Sequence, residues 1–262
     1  MDKCYIERLA LITLDDCNLN CAHCIREKKC KKVISDEIID KTFEQIIYAS
    51  TVAIAGGEPT LAVDRIEKII DAIIKRHIKL DEFTVTINGT IYSEELLRLL
   101  DEIEKYIGDG MYVMFAISLD KYHVEEMNKL GLMESFIENF NKYKESKHFA
   151  GTRELDFKLF REGNATNLSD DITIPLRPMK KFVTYSKIGT CCIGPLVTIN
   201  TDGIVTECDA SYDNQRTIYN YGNVLEDSIE NIVLNNGAEI VPNKKFHKIT
   251  YKELKRYQTY NE

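Results

Sequence analysis

The residues best placed to do chemistry are Cys17, Cys21 and Cys24, in the run CNLNCAHC. The spacing C-x3-C-x2-C gathers three thiolates in one short loop, directly after an apolar run, LALITL at 9–14, that reads as a strand. Two metals suit such a loop. A structural zinc ion takes four closed ligands and would need Cys30 or Cys4 as the fourth. A four-iron cluster held by three thiolates leaves one iron open to a substrate or cofactor. The remaining reading is three unconnected core cysteines. A second run, Gly56-Gly57-Glu58-Pro59, follows another apolar stretch, TVAIA at 51–55. Two glycines at a strand end let a ligand approach the backbone, and the adjoining carboxylate can accept from an ammonium group. The plain alternative is a Gly-Gly turn into the helix that begins near Leu61.

These loops must be positioned by the elements before them. Over the first 165 residues or so, apolar strand candidates recur at 9–14, 51–55, 82–87 (EFTVTI), 111–119 (MYVMFAISL) and 155–160 (LDFKLF). Amphipathic helix candidates lie between them. Ile66, Ile69, Ile70, Ile73, Ile74 and His77 recur at helical spacing in 61–77, as do Leu96, Leu100, Ile103 and Ile107 in 94–107. Ser35 and Ser93 stand where N-caps are wanted. Alternating strands and helices predict a parallel sheet covered by helices, with ligands at the C-terminal ends of the strands. The cysteine loop and the Gly-Gly-Glu loop are one strand–helix unit apart, so they should emerge side by side.

That pair closely resembles the signature of the radical S-adenosylmethionine (SAM) superfamily. The resemblance implies a partial (β/α)6 TIM-like barrel, here assigned to residues 1–185, with a short C-terminal hairpin-plus-helix extension over 186–262. It implies a [4Fe-4S] cluster on Cys17, Cys21 and Cys24, with His23 in the aromatic position beside the adenine. Gly56, Gly57, Glu58 and Pro59 match the motif that binds the methionine amino group of SAM. Weaker matches follow. Thr86-Ile87-Asn88-Gly89 and Ser118-Leu119-Asp120 stand at the ends of the third and fourth strands, so Asn88, Ser118 and Asp120 join the expected SAM contacts. Arg161-Glu162-Gly163-Asn164-Ala165 is a looser match. The plain readings are a turn at Asn88-Gly89 and a helix cap at Asp120. The implied reaction is reductive cleavage of SAM to methionine and a 5′-deoxyadenosyl radical, which takes a hydrogen atom from a peptide or small-molecule substrate. An external reductant of the flavodoxin or ferredoxin type would supply the electron.

The chain has eight cysteines, and Cys191, Cys192 and Cys208 form a late group. Cys191-Cys-Ile-Gly and the hairpin candidate at 195–208, turned by Asp202-Gly203, resemble the start of a SPASM or twitch extension, with no cysteine after Cys208. These three residues are candidate ligands of a second iron–sulfur cluster; the alternative is a hairpin without one. A helix is expected at 228–235, capped by Asp227 with Glu230 in capping-box register. The formal net charge of −8 gives no broad basic surface, so nucleic acid is not an expected partner. The N-terminal apolar run is too short to span a bilayer, which places the protein in the cytoplasm. Two rival readings stand beside the enzyme. One is a zinc-binding structural or interaction protein. The other is a cluster-bearing electron-transfer or partner-binding subunit that does not turn over SAM.

Overall fold

The computed structural model describes residues 3–108, 110–154, 158–186 and 189–242. Its first part alternates strands and helices: β1 (Cys4–Ile12), α1 (Asp36–Glu44), β2 (Ile46–Ala55), α2 (Val63–Lys75), β3 (Lys79–Ile87), α3 (Glu94–Ile107), β4 (Tyr112–Ser118), α4 (Lys121–Lys129), α5 (Met133–Tyr143) and β5 (Phe149–Arg153). The strands β1 to β5 lie in chain order and every neighbouring pair is parallel. This is the α/β partial barrel expected from the strand–helix rhythm. Ser35 accepts from the Ile38 amide and Ser93 from the Leu96 amide, so both are the N-caps their positions suggest.

The two faces of this sheet differ in residue size. On the helix side Val52, Ile54, Phe83, Val85, Phe115 and Ile117 are buried, in one core with Ile66, Ile69, Ile70 and Ile73 of α2. Each such side chain contributes about 1.5–3 kcal/mol by leaving water. On the other side stand Ala10, Ile12, Ala53, Ala55, Thr84, Thr86, Met114 and Ala116, aligned by register across β1 to β4. Ala53, Ala55 and Thr86 keep accessible surface although they sit in mid-sheet strands. Most of the side chains on this inward face are small.

The fifth candidate strand, 155–160, is placed differently. Residues 155–157 lie outside the described residues, and β6 (Leu159–Phe160) pairs with β7 (Thr173–Ile174) in a separate two-stranded sheet. The fifth strand of the main sheet is β5, whose FAGTR sequence has no apolar run because it lies at the sheet edge, half-exposed or exposed throughout. Beyond it come β8 (Phe182–Tyr185), β9 (Cys191–Gly194), β10 (Val197–Ile199), β11 (Val205–Thr206), α6 (Tyr212–Arg216), α7 (Ile229–Asn235) and β12 (Glu239–Ile240). Strands β9 and β10 both pair in parallel with β1, so the main sheet continues across residues 185 and 186 onto β1's free edge. The expected hairpin forms between β10 and β11, with Gly203 in the left-handed region at φ 80°. The cap of α7 is Ser228, which accepts from the Asn231 amide, and not Asp227; the Asp227 carboxylate instead accepts from the Ser228 amide and the Asn231 side chain. Residues 243–262 lie outside the described part.

Candidate functional site

The chain leaves β1 and returns to α1 through a loop whose base is pinned. The Asp15 amide donates to the Lys32 carbonyl at 3.0 Å, and the Ile34 amide to the Thr13 carbonyl at 2.9 Å. Within this loop several donors aim at sulfur. The Leu19 amide is 3.4 Å from Cys17 Sγ, the Arg26 amide 3.4 Å from Cys24 Sγ, and Lys29 Nζ 3.3 Å from Cys24 Sγ. Such donors favour thiolates over thiols. Burial pushes the Cys17 thiol up to about 11 despite the Lys29 charge, and the Cys21 thiol up to about 12, with Cys24 and Cys17 adding to the effect on Cys21. Neighbouring cysteines thus disfavour the thiolates of Cys17 and Cys21, and a positively charged metal core relieves that repulsion. The donor set therefore fits a three-thiolate cluster. The fourth ligands considered for zinc, Cys4 and Cys30, have contacts of their own, although ligand atoms of Cys21, His23 and His123 lie within 4.8 Å of one another. Cys4 starts β1, at the opposite end from the loop, and its thiol donates to the Gln45 carbonyl; Cys30 Sγ is 3.9 Å from the Tyr212 hydroxyl.

The Gly-Gly-Glu loop packs directly on the cysteine loop, because β1 and β2 are parallel neighbours. The pairing continues past the strand ends: Gly57 N–H donates to the Leu14 carbonyl at 2.8 Å and Glu58 N–H to the Asp16 carbonyl at 2.9 Å. A Cβ on Gly57 would stand 1.8 Å from the Asp16 carbonyl oxygen, and one on Gly56 2.7 Å from that of Leu14. In the described structure these glycines permit one stretch of the chain to approach another. Glu58 is 1% exposed, and Pro59 opens the 3-10 turn that follows it. One Glu58 oxygen accepts from the Thr60 amide (3.0 Å) and hydroxyl (2.6 Å), and the other from the Asn88 amide at 2.6 Å. Burial raises the Glu58 carboxyl, and these hydrogen bonds only partly offset it. Among the described residues no cation lies in ion-pair contact with Glu58.

Asn88, at the end of β3, joins the two loops. Its amide nitrogen donates to Asn18 Oδ1 at 2.9 Å and lies 3.8 Å from Cys17 Sγ, while its Oδ1 accepts from Thr90. Ser118 ends β4, in register with Arg153 of β5. Asp120 caps α4, accepting from the Tyr122 and His123 amides, and its second oxygen is 2.8 Å from His123 Nδ1 and 3.4 Å from His23 Nε2. Burial alone would raise the Asp120 carboxyl, but the His123 hydrogen bond and the two imidazoles hold it below the usual range. The His23 ring stacks on Tyr122 at 4.8 Å, and its Nδ1 is buried without a partner. Beside Asp120 and Tyr122 a cleft of about 370 Å³ opens, bounded also by Leu119, Val124 and Glu154.

Several residues of this site escaped the sequence reading. Gly163 and Asn164 pack on the cysteine loop: the Asn164 amide donates to the Cys24 carbonyl at 2.9 Å, and its side chain to the Cys21 carbonyl at 3.1 Å. The loose motif at 161–165 was the available signal. Arg26, 4% exposed, donates to Gln215 Oε1 at 2.6 Å and to the Cys208 carbonyl at 3.4 Å, so it ties the loop to the C-terminal extension. The fully buried Asp15 accepts from Arg216 at 2.9 Å and from Thr201 at 2.5 Å. Nothing in a linear motif pairs residues two hundred positions apart. The late cysteines have separate surroundings. Cys191 lies beside Glu230 and Cys4, Cys192 beside Glu7, and Cys208 beside Asp209, Arg26, Arg8 and Thr198. Cys191 and Cys192 are successive residues of β9 and point to opposite faces.

A 115-residue stretch is 24% identical to an uncharacterised protein of Methanocaldococcus jannaschii; it covers 41% of this chain and 40% of that relative. Among solved structures, anSMEcpe with bound AdoMet and the Cp18Cys peptide is 16% identical, with a TM-score of 0.47, over 87% of this chain and 80% of that one. Streptococcus suis SuiB bound to precursor peptide SuiA is 13% identical, with a TM-score of 0.44, over 87% and 64%. The family model of the Radical SAM superfamily matches residues 11–152, from the end of β1 to β5, and thus spans the cysteine loop, the Gly-Gly-Glu loop and the ends of β3 and β4. This chain belongs to the Radical SAM superfamily.

Proposed function

We propose that this chain is a SAM-cleaving enzyme whose Cys17, Cys21 and Cys24 hold a single [4Fe-4S] cluster. When bound, the cluster and SAM supply a 5′-deoxyadenosyl radical for hydrogen-atom abstraction from a peptide or small-molecule substrate, with an external flavodoxin- or ferredoxin-type protein as electron donor. The chain's own part is to bind and orient. Asn88 and Asn164 hold the cysteine loop against β3 and the 161–165 segment. Glu58 accepts the SAM ammonium group, Asp120 and Tyr122 border the cleft at the end of β4, and Ser118 and His23 stand next to them as further SAM contacts. The observation that carries this reading is the buried, unpaired Glu58 carboxylate linked through Asn88 to Cys17. The separate surroundings of Cys191, Cys192 and Cys208 support one cluster over two. Anaerobic reconstitution with iron and sulfide should give about four irons per chain. The triple variant Cys17→Ala/Cys21→Ala/Cys24→Ala should hold almost none and form no 5′-deoxyadenosine under reductant. Undiminished SAM cleavage in that variant would sink the assignment.

A further inference from the structure

The inner face of the sheet carries charge that the chain leaves unpaired. Arg8 of β1 is in register with Thr51 of β2, and Thr51 with Glu82 of β3. The Thr51 hydroxyl donates to the Glu82 carboxylate at 2.8 Å, which places these side chains on one face. That is the face of Ala10, Ala53 and Thr84, one layer nearer the cysteine loop. From the other side, β10 sets Thr198 beside Ala10, and β11 pairs Thr206 with Thr198. Cys208 stands two residues beyond Thr206, in the turn that follows β11. Arg8 is an electrostatic neighbour of both Cys208 and Asp209.

Arg8 is half-buried and has no ion-pair partner among the described residues. Glu82 does not meet it, since two strands separate them by about 10 Å. The nearby Arg26 guanidinium is held by Gln215 and a carbonyl, neither of them a counter-charge. Asp209 is exposed at its surface, yet burial raises its carboxyl. Thr198, 1% exposed, sets its hydroxyl beside the Cys208 thiol.

We propose that Arg8 is the docking point for an anionic oxygen group of the substrate, a carboxylate or a phosphate, inside the barrel. This deepens the functional reading above and rests on it. A guanidinium presents a planar fork to such groups and gains most where water is partly excluded. Arg8 stands four residues before the end of β1, about 13 Å below the loops that carry the cysteines. A substrate anchored there spans the layers of alanine and threonine and presents its far end to the cleavage site. The chemistry that recognises it is a small acid or phosphorylated metabolite, or the C-terminus of a peptide.

The test uses the full chain and two probes, inorganic phosphate followed by ³¹P line broadening and acetate followed by its methyl resonance. Wild type should bind at least one probe, and Arg8→Leu should weaken that binding about tenfold or more, the loss of one charge-assisted contact. Arg8→Lys should restore part of it, which excludes a folding defect as the cause. Asp209→Asn should tighten it by removing a neighbouring negative charge. Phosphate binding without acetate binding identifies a phosphorylated substrate, and binding of both a carboxylate. No binding, equal binding by wild type and Arg8→Leu, or an Asp209→Asn variant that does not bind more tightly would overturn the proposal. Iron content separates the two readings. A chain that binds phosphate through Arg8 but holds no iron fails the functional reading alone, and one that holds a cluster but ignores Arg8 fails this one alone.

Discussion

Gly57→Ala is the sharpest test of how the two loops depend on each other. The added methyl would sit 1.8 Å from the Asp16 carbonyl oxygen and 2.4 Å from its carbon, both backbone atoms of the cysteine loop. An ordinary contact needs about 3.4 Å, so the loops must part by roughly 1.5 Å. That movement breaks the bonds from Gly57 N–H to Leu14 and from Glu58 N–H to Asp16. At about 0.5–1.5 kcal/mol each, plus strain, the total comes to about 2–4 kcal/mol. Gly108→Ala is the control. Its φ of 82° and ψ of −177° lie in a region open essentially only to glycine, and nothing stands within 4 Å of its Cβ, so it should cost a backbone penalty of about 1–3 kcal/mol and leave the two loops in place. Urea unfolding read by circular dichroism measures both, and iron content after anaerobic reconstitution reports the cysteine loop. Gly57→Ala should lose stability and iron together, while Gly108→Ala keeps its iron. A Gly57→Ala protein within about 0.5 kcal/mol of wild type and with full iron would refute the reasoning.

Three further outcomes follow from other contacts. Glu58→Gln places an amide donor against the donors of Thr60 or Asn88, so it should cost about 1–3 kcal/mol of stability even without SAM, and weaken SAM binding roughly ten- to hundredfold. Equal stability and equal affinity would make Glu58 a mere turn residue. Arg216→Ala strands the fully buried Asp15 carboxylate with Thr201 alone and should cost about 3 kcal/mol in urea unfolding. Burial pushes the Glu7 carboxyl from 4.5 to about 7, and its Oε2 has no partner. The folded chain then keeps a proton that the unfolded chain releases, so this residue's contribution is fully present below pH 4.5 and is lost as pH rises through about 7. After discounting for partial exposure, Glu7→Gln should stabilise by about 1–2 kcal/mol at pH 8 and by almost nothing near pH 4.5, and identical gains at both would contradict the assignment.

What the sequence determined by itself was the order of the parts. The period of the isoleucines in α2, the caps at Ser35 and Ser93, and apolar runs ending at the cysteine and Gly-Gly-Glu motifs are local signals, each complete within a dozen residues. Parallel pairing of β1 and β2 then brings the two motifs together. Tertiary structure alone decided the rest, because it depends on pairings between distant residues. The edge strand β5 is exposed and carries no apolar run, so its sequence is silent. The reason for Gly57 was read as room for a ligand and lies in a carbonyl oxygen forty-one positions earlier, at Asp16. Arg26 and Arg216 look like surface charge in sequence, yet they bind the extension to the cysteine loop across about two hundred residues. The hairpin turn at Asp202-Gly203 was legible, but where its Cys208 faces was not. The turn after β11 decides that, and it sets Cys208 near Arg8, Arg26 and Asp209, while Cys191 lies near Glu230 and Cys4.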